Sequence, residues 1–364
     1  MEPLDASTTI FFGHLLDVAP EMIRVVRYGD AALPAALAAA SAVVCVRALF
    51  ELDDVVRAAR ALRLPLYYFL DDNFVVLNEQ GEPGMRWVKR YSDANVRTAL
   101  QRFTGVLVAT PALDQFFAER QLHKERVLFP PVKSAAAASA APAARPRLHI
   151  AFFGGAHLHQ LLLTTILPAV ERLARQRPVT LITLGAPSIR PSGGLQVIQH
   201  PYDVSYQRGV ATLRASGVDL LAHPSAADLP NNAYKNPHAL ITAHALGAVP
   251  IVSDAPPYAG LRSEGVAALS HDDEESWYQA MAAVADNPHL RSEMLERLGK
   301  YCDEHFNGVT NRQVLDAIVS KPAARSASAS FWRQSLAWSY LIAGVTRRSM
   351  SRMKHRLAPG AAAA

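Results

Sequence analysis

The sequence predicts an α/β protein built from two Rossmann-like domains facing a cleft, followed by a C-terminal helical tail. Three observations carry this reading. Short apolar runs alternate with helical patterns along most of the 364 residues. The alternation is broken once, by the low-complexity run KSAAAASAAPAARPR at 133–147, whose Ala, Pro and Ser content reads as a linker. The chain is also too long for one ordinary core and suits two. The expected organisation is therefore a first domain at 1–132, a linker at 133–147, a second domain at 148–320 and a tail at 321–364. A single long doubly wound sheet is the alternative, and the linker disfavours it.

In the first half, Thr9 to Phe12, Ala42 to Val46, Pro65 to Leu70, Val106 to Ala109 and Val127 to Phe129 read as strands. Leu52 to Leu62, Asp93 to Phe103 and Ala112 to Gln121 read as helices. In the second half, strands are expected at His149 to Phe153, Val179 to Leu184, Val197 to His200 and Val218 to Ala222. A helix is expected from Leu161 to Arg175. Next comes the segment NNAYKNPHALITAHALGAVPIVSD, Asn231 to Asp254. It reads as a lysine at a helix start, a helix from Asn236 to Leu246, a turn at Gly247 and a buried strand from Ala248 to Val252. Gly247 suits the C′ position, where a left-handed residue closes a helix. Helices from Glu274 to Ala285, Leu290 to His305 and Asn311 to Val319 complete the half.

Composition bounds the function. Half the residues are hydrophobic and 19% are charged, as in a soluble globular protein. The two cysteines, Cys45 and Cys302, lie in different halves without metal-ligand neighbours, so neither a disulfide framework nor a zinc site is expected. The start, MEPLDAST, lacks a basic n-region, and the longest weakly apolar stretch, Ala31 to Val46, is broken by Pro34. It falls short of the roughly 20 residues of a spanning helix. A cytoplasmic location is expected. The net charge of +5 belongs to the tail: Arg325, Arg333, Arg347, Arg348, Arg352, Lys354 and Arg356 face no acidic residue from Ala323 onward. That argues against a nucleic-acid binder and for a local anionic partner. With Trp332, Trp338 and Tyr340 upstream, Phe331 to Leu357 reads as a basic amphipathic helix suited to the inner face of a membrane.

Candidate site residues gather at strand exits, where open α/β sheets bind ligands. Gly154 and Gly155 follow the first strand of the second half and would let backbone approach a ligand closely. His157 closes that loop. Lys235 and Asn236 stand before a helix start, where free N–H groups and the helix dipole favour phosphate. Asp219, His223 and Ser225 flank the strand VDLLAHPS, and Asp254 follows the next one. In the first half, Asp71 and Asp72 sit at a strand exit in YFLDDNF. Adjacent carboxylates diverge there and no third ligand is evident, so a capping or acceptor-side role is expected rather than a metal site. His14, after the first expected strand, is placed to donate a hydrogen bond or act as a base.

The Asn231–Asp254 block resembles the donor-binding segment of GT-B glycosyltransferases, in particular the GT4-like bacterial cell-surface polysaccharide group. A run N-x-x-K-S-x-x-K-x-x-E-x-x-A-x-G-x-P-V-V-x-S is common there. Asn232, Lys235, Ala245, Gly247, Pro250, Ile251, Val252 and Ser253 match it, the last few in slightly shifted register. The resemblance also covers Gly154, Gly155 and His157 and the Asp71–Phe74 segment. The family's ribose-holding acidic residue falls on Thr242, a further acidic position on Tyr234, the second lysine is absent, and Gln160 stands where relatives carry Asp. The resemblance implies a hexosyltransferase that takes a nucleotide-sugar donor and a glycan or glycolipid acceptor in cell-surface polysaccharide synthesis, retaining configuration and needing no obligatory metal or other cofactor. His14 and Asp72 are then the catalytic candidates. Gly154, Gly155, His157, Lys235, Asn236, Thr242 and Asp254 are the donor-binding candidates. Two rivals stand beside it: a non-catalytic GT-B protein with a decayed donor site, and a nucleotide-sugar epimerase of the same fold.

Overall fold

The structure is a computed structural model and describes residues 6–81, 86–133, 146–225, 229–320 and 337. The chain forms two compact units. The larger comprises Met1–Ala19, Asp71–Val76 and Phe129–Thr310, and the smaller Pro20–Leu70, Leu77–Leu128 and Asn311–Ala364. The division differs from a cut at 132: the first helix and the short Asp71–Val76 segment belong with the second half. Most of the expected linker, 134–145, lies outside the described residues. So does the expected tail, Ala337 apart. Among the described residues no helix is long and apolar enough to cross a membrane.

The smaller unit carries β1 (Val43–Val46), β2 (Leu66–Leu70), β3 (Gly105–Val108) and β4 (Arg126–Leu128), a four-stranded parallel sheet in that order. Strands β2 and β3 are buried at every position, as expected of parallel strands covered on both faces. Helices α2 (Leu33–Ala39), α3 (Asp53–Ala61), α5 (Asp93–Leu100) and α6 (Pro111–Glu119) accompany them. Ser92 and Thr110 cap α5 and α6 with their hydroxyls, satisfying first-turn N–H groups. Helices α4 (Phe74–Gln80) and α13 (Val309–Ser320) carry the chain from one unit into the other.

The larger unit holds six parallel strands: β5 (Leu148–Phe152), β6 (Val179–Leu184), β7 (Gln196–His200), β8 (Leu220–His223), β9 (Val249–Ser253) and β10 (Ala268–Ser270). Their order is β10-β9-β8-β5-β6-β7. The order reverses between β5 and β8, which is the switch point of a Rossmann sheet. Helices α7 (His159–Leu161) and α8 (Leu167–Ala174) follow β5, joined by a π-turn at Leu162–Ile166. Helix α9 (Tyr206–Ser216) precedes β8, α10 (His238–Leu246) precedes β9, and α11 (Glu274–Asp286) and α12 (Pro288–His305) follow β10. The core of one face joins Ile150, Phe152, Leu181 and Leu220 of the sheet to Val170 and Leu173 of α8 and to Trp277 and Met281 of α11. Gly247 ends α10 at φ +68°, as its C′ position predicts.

One expected strand is wrong in kind. Thr9 to Phe12 lies inside α1 (Ala6–Val18). Seven α1 residues are buried, four of them consecutive from Ile10 to Gly13. A helix covered nearly all round shows no 3.6-residue alternation, and its β-branched Thr and Ile residues imitate a strand. The sequence also leaves α2, α4, α9 and β10 unread.

Candidate functional site

The site is built at the carboxyl ends of β5 and β8. After β5 the chain turns through Phe153 and Gly154 to Gly155, then into a 3₁₀ turn at Ala156–Leu158. A Cβ on Gly154 would lie 2.8 Å from Leu158 Cδ1 and 3.0 Å from Phe152 Cζ, so the turn has no room for a side chain. A Cβ on Gly155 would lie 3.0 Å from His157 Nδ1. The His157 ring therefore rests on the glycine backbone.

His223 ends β8, buried, with Nδ1 2.5 Å from the Phe153 carbonyl oxygen. A carbonyl only accepts, so Nδ1 carries the proton and Nε2 is left with its lone pair. The His223 ring meets the His238 ring edge-on at 4.7 Å, and the Tyr258 ring at 6.1 Å. His238 opens α10. Pro237 stands at the cap without a side-chain bond to the helix, and the first-turn N–H groups of His238 and Leu240 donate to the Asn236 and Pro237 carbonyl oxygens at 2.9 and 3.0 Å. Lys235, half-buried, lies three residues before His238. Asn236 between them is buried, and its Oδ1 has no hydrogen-bond partner. A buried, unsatisfied polar atom is uncommon in a folded protein and marks a place where a ligand group fits.

Asp72 belongs to the same constellation. Asn231 holds it: Asn231 Nδ2 donates to Asp72 Oδ1 at 3.2 Å, and Asn231 Oδ1 accepts from the Asn73 N–H at 2.8 Å. Asp71 points elsewhere and accepts from Ser7 Oγ at 2.5 Å, so the two adjacent carboxylates have different partners. Among the described residues no cluster of three His, Cys, Asp or Glu is placed to hold a metal ion.

The electrostatics tie these groups together. Burial, then the His238 ring, holds the His223 pKa well below the usual imidazole range. Burial, then the Lys235 charge, lowers His238 to about 4, with Asp72 pulling the other way. His157 is reached by solvent yet ringed by protein. Desolvation, then Lys235, lowers its pKa too, and Asp72 again opposes. All three imidazoles are thus held below their usual range by burial first, with the Lys235 charge adding to it at each.

The expected residues do not all meet in one place. Gly154, Gly155, His157, Lys235, Asn236 and Asp72 come together. Thr242 is fully buried on α10; its Oγ1 lies 2.7 Å from the Tyr206 hydroxyl and 3.1 Å from the His238 carbonyl oxygen that accepts from it. A direct ribose contact would first have to break that packing. Asp254 follows β9, and its carboxylate is ion-paired with Arg262. His14 is not in a loop after a strand but within α1. It packs against Gly308, where a Cβ would lie 2.8 Å from its Cδ2, and lines a pocket of about 270 Å³ with Asp17, Tyr206, Arg214 and Ile241. None of the residues gathered around Lys235 lines that pocket. Ser225 and Asp219 serve the scaffold. Ser225 bonds Ser253 and Pro256, and Asp219 bonds the His149 N–H and Arg291. Sequence reasoning missed His238 and Asn231. The signal for His238 was its place at the first turn after Lys235, and nothing local announced Asn231.

No family model matches the sequence, and no curated protein matches it. Solved structures do. The chain is similar to an α,α-trehalose-phosphate synthase (UDP-forming) from Burkholderia vietnamiensis, at 15% identity over 88% of this chain and 82% of that one, with a TM-score of 0.53. It is similar to HepE from Anabaena in complex with UDP-glucose, at 14% identity over 85% and 84%, TM-score 0.51. It is also similar to an α,α-trehalose-phosphate synthase (UDP-forming) from Burkholderia xenovorans in complex with glucose-6-phosphate, at 14% identity over 76% and 72%, TM-score 0.51. Identities this low speak to fold, and the fold is that of the GT-B glycosyltransferases.

Proposed function

We propose that the protein is a glycosyltransferase that moves a hexose from a nucleotide-sugar donor to a glycan or glycolipid acceptor in cell-surface polysaccharide synthesis. The observation that carries this reading is Lys235 close to the Gly154–Gly155–His157 loop, at the switch point of a Rossmann sheet. That combination suits a diphosphate. The UDP-glucose and glucose-6-phosphate in the names of two similar structures support the class of donor and of acceptor chemistry. Lys235 would stabilise the charge that grows on the leaving diphosphate. Asn236 Oδ1 would accept a hydroxyl of the donor. Asp72, held by Asn231, would orient the imidazoles or the acceptor. Retention of configuration, with the leaving phosphate assisting the acceptor hydroxyl, and independence from a metal are parts of the same proposal.

Isothermal titration against UDP-, GDP- and dTDP-sugars, followed by product analysis with candidate acceptors, tests it. Binding and transfer are expected with one of them. Binding without turnover of any acceptor points to the second reading, a donor-binding protein that no longer catalyses. One observation favours that second reading: Thr242, where the resembling family carries a carboxylate, spends its hydroxyl on Tyr206. Peripheral attachment to the inner membrane face through the basic tail is proposed as well. Co-sedimentation with anionic vesicles should exceed that of a chain ending at Val345, and salt should weaken it.

A further inference from the structure

Three helices of the larger unit wall a pocket that the nucleotide-sugar reading leaves unused. It encloses about 270 Å³ between α1, α9 and α10. Thr9, Gly13 and Asp17 of α1 line it at four-residue spacing, and so do Tyr206, Val210 and Arg214 of α9. One face of each helix therefore turns toward the gap. Gly13 keeps the gap open. A Cβ there would meet only Thr9 Cγ2, one turn back on the same helix, at 3.4 Å, and nothing of α9 or α10 within 4 Å. Glycine is unfavourable inside a helix, and here its missing side chain is the middle of the pocket.

The lining mixes apolar walls with uncommitted polar groups. Ile10, Val210 and Ile241 supply the walls. Among the described residues the Asp17 carboxylate has no hydrogen-bond or ion-pair partner. Arg214 donates from Nε and Nη2 to the Ala245 carbonyl oxygen at 3.0 and 2.6 Å, which leaves Nη1 over. The two charges line one pocket without pairing with each other. Thr9 Oγ1 and His14 Nδ1, on two lining residues, are buried without a partner. Unpaired polar atoms are uncommon in a folded protein, and a side-chain rotation is enough to present either to a ligand. One carboxylate and one guanidinium sum to no net charge, so this pair selects neither an anion nor a cation. A hydroxyl donates to the first and accepts from the second. A zwitterion meets the same two groups, but it must bring two charges out of water, which costs far more than bringing hydroxyls. The volume lies just below the roughly 300–1,000 Å³ of pockets for drug-sized ligands and suits a single ring.

We propose that this pocket is a second binding site, for one uncharged sugar ring, with Asp17 and Arg214 sharing its hydroxyls and Ile10, Val210 and Ile241 against its C–H face. The site is separate from the one around Lys235 and does not rest on the donor reading. Tyr206, which lines it, lies 2.7 Å from Thr242 Oγ1, and Thr242 donates to the His238 carbonyl oxygen at 3.1 Å. A sugar seated here touches the side chain that braces the first turn of α10.

The test is saturation-transfer NMR of the full chain followed by titration, with D-glucose, D-galactose and D-mannose as probes. Maltotriose distinguishes the end of a glycan from a free sugar, and L-serine and inorganic phosphate stand for a zwitterion and an anion. At least one sugar should bind, and neither serine nor phosphate should displace it. Asp17→Asn should weaken binding roughly tenfold, as expected for a lost hydrogen bond to a charged group. Gly13→Leu, which fills the pocket, should abolish it, and Lys235→Ala should leave it unchanged. Gly13→Ala should raise the melting temperature, because alanine is the better helix former, while weakening sugar binding. If Gly13→Leu fails to fold, as shown by circular dichroism, Gly13→Ala and Asp17→Asn decide. Maltotriose binding through the same residues keeps the inference and makes a glycan end the source. Sugar binding that survives the Gly13 and Asp17 variants, or that Lys235→Ala removes, would overturn it. So would displacement by serine or phosphate, or no binding of any sugar. Each of these outcomes leaves the nucleotide-sugar reading to its own test, because no residue gathered around Lys235 lines this pocket.

Discussion

Asp219 and His223 flank one short strand, β8, and both are buried. At the amino end, Asp219 accepts from the His149 N–H at 2.8 Å and from Arg291 at 2.7 Å. At the carboxyl end, His223 turns Nδ1 inward to Phe153, and near it stand the His238 ring, Lys235 and an unpartnered Asn236 Oδ1. The amino end is closed by an ion pair, and beyond the carboxyl end one buried acceptor, Asn236 Oδ1, has no partner. Buried polar groups that are satisfied stabilise the fold. Those left unsatisfied cost stability and persist where a ligand completes them.

The comparison makes its largest claim at the closed end. Asp219→Ala removes one partner of a largely buried ion pair and strands the His149 N–H. It should destabilise the protein by about 3 kcal/mol in urea unfolding, with the affinity of the folded protein for nucleotide sugar unchanged. Loss of affinity without loss of stability would break the distinction. At the carboxyl end the expected pattern is the reverse. Lys235→Ala should weaken nucleotide-sugar binding by roughly 1.5–3 kcal/mol, the range for a charge-assisted bond, and leave unfolding nearly unchanged.

A pH scan sharpens the same contrast. The folded-state pKa values of His157 and His238 are depressed, so the unfolded chain binds more protons below about pH 6.5. Stability is therefore full above the unfolded imidazole pKa and declines as pH falls toward about 4, the folded value of His238. The smallest effect is expected from Thr242→Val, which leaves the Tyr206 hydroxyl without its partner. It should cost about 1 kcal/mol of stability and change donor affinity less than Lys235→Ala does. A larger loss of affinity than of stability would return Thr242 to the donor site.

The parts legible in the sequence are those with local chemistry. Gly247 closes α10 where a left-handed residue must stand, and Ala248 to Val252 reads as a buried strand because it is one. Gly154, Gly155 and Lys235 are visible because glycine turns and helix starts have short-range signatures. What was not legible depends on contacts between distant residues. Asn231 reaches Asp72 across 159 positions of sequence. Thr242 meets Tyr206 because α9 and α10 pack together, and no pattern within either helix says so. Helix α1 fails for a different reason: near-complete burial erases the periodicity by which helices are recognised, so His14 was assigned to a loop that does not exist.

The π-turn at Leu162–Ile166 sits just beyond the glycine loop. In the language of lineage rather than of bonds, such a turn is a single-residue insertion that a helix has absorbed without breaking. It sets the bearing of His157 and the loop relative to α8. Deleting one residue there, Thr164 for example, would restore regular winding and turn the short segment from Ala156 to Leu161 by about 100° around the helix axis relative to α8, since an α-helix has 3.6 residues per turn. The stretch is thus a natural adjustment point. Descendants of this chain, or libraries made from it, could re-aim the loop in one-residue steps while the sheet beneath stays as it is.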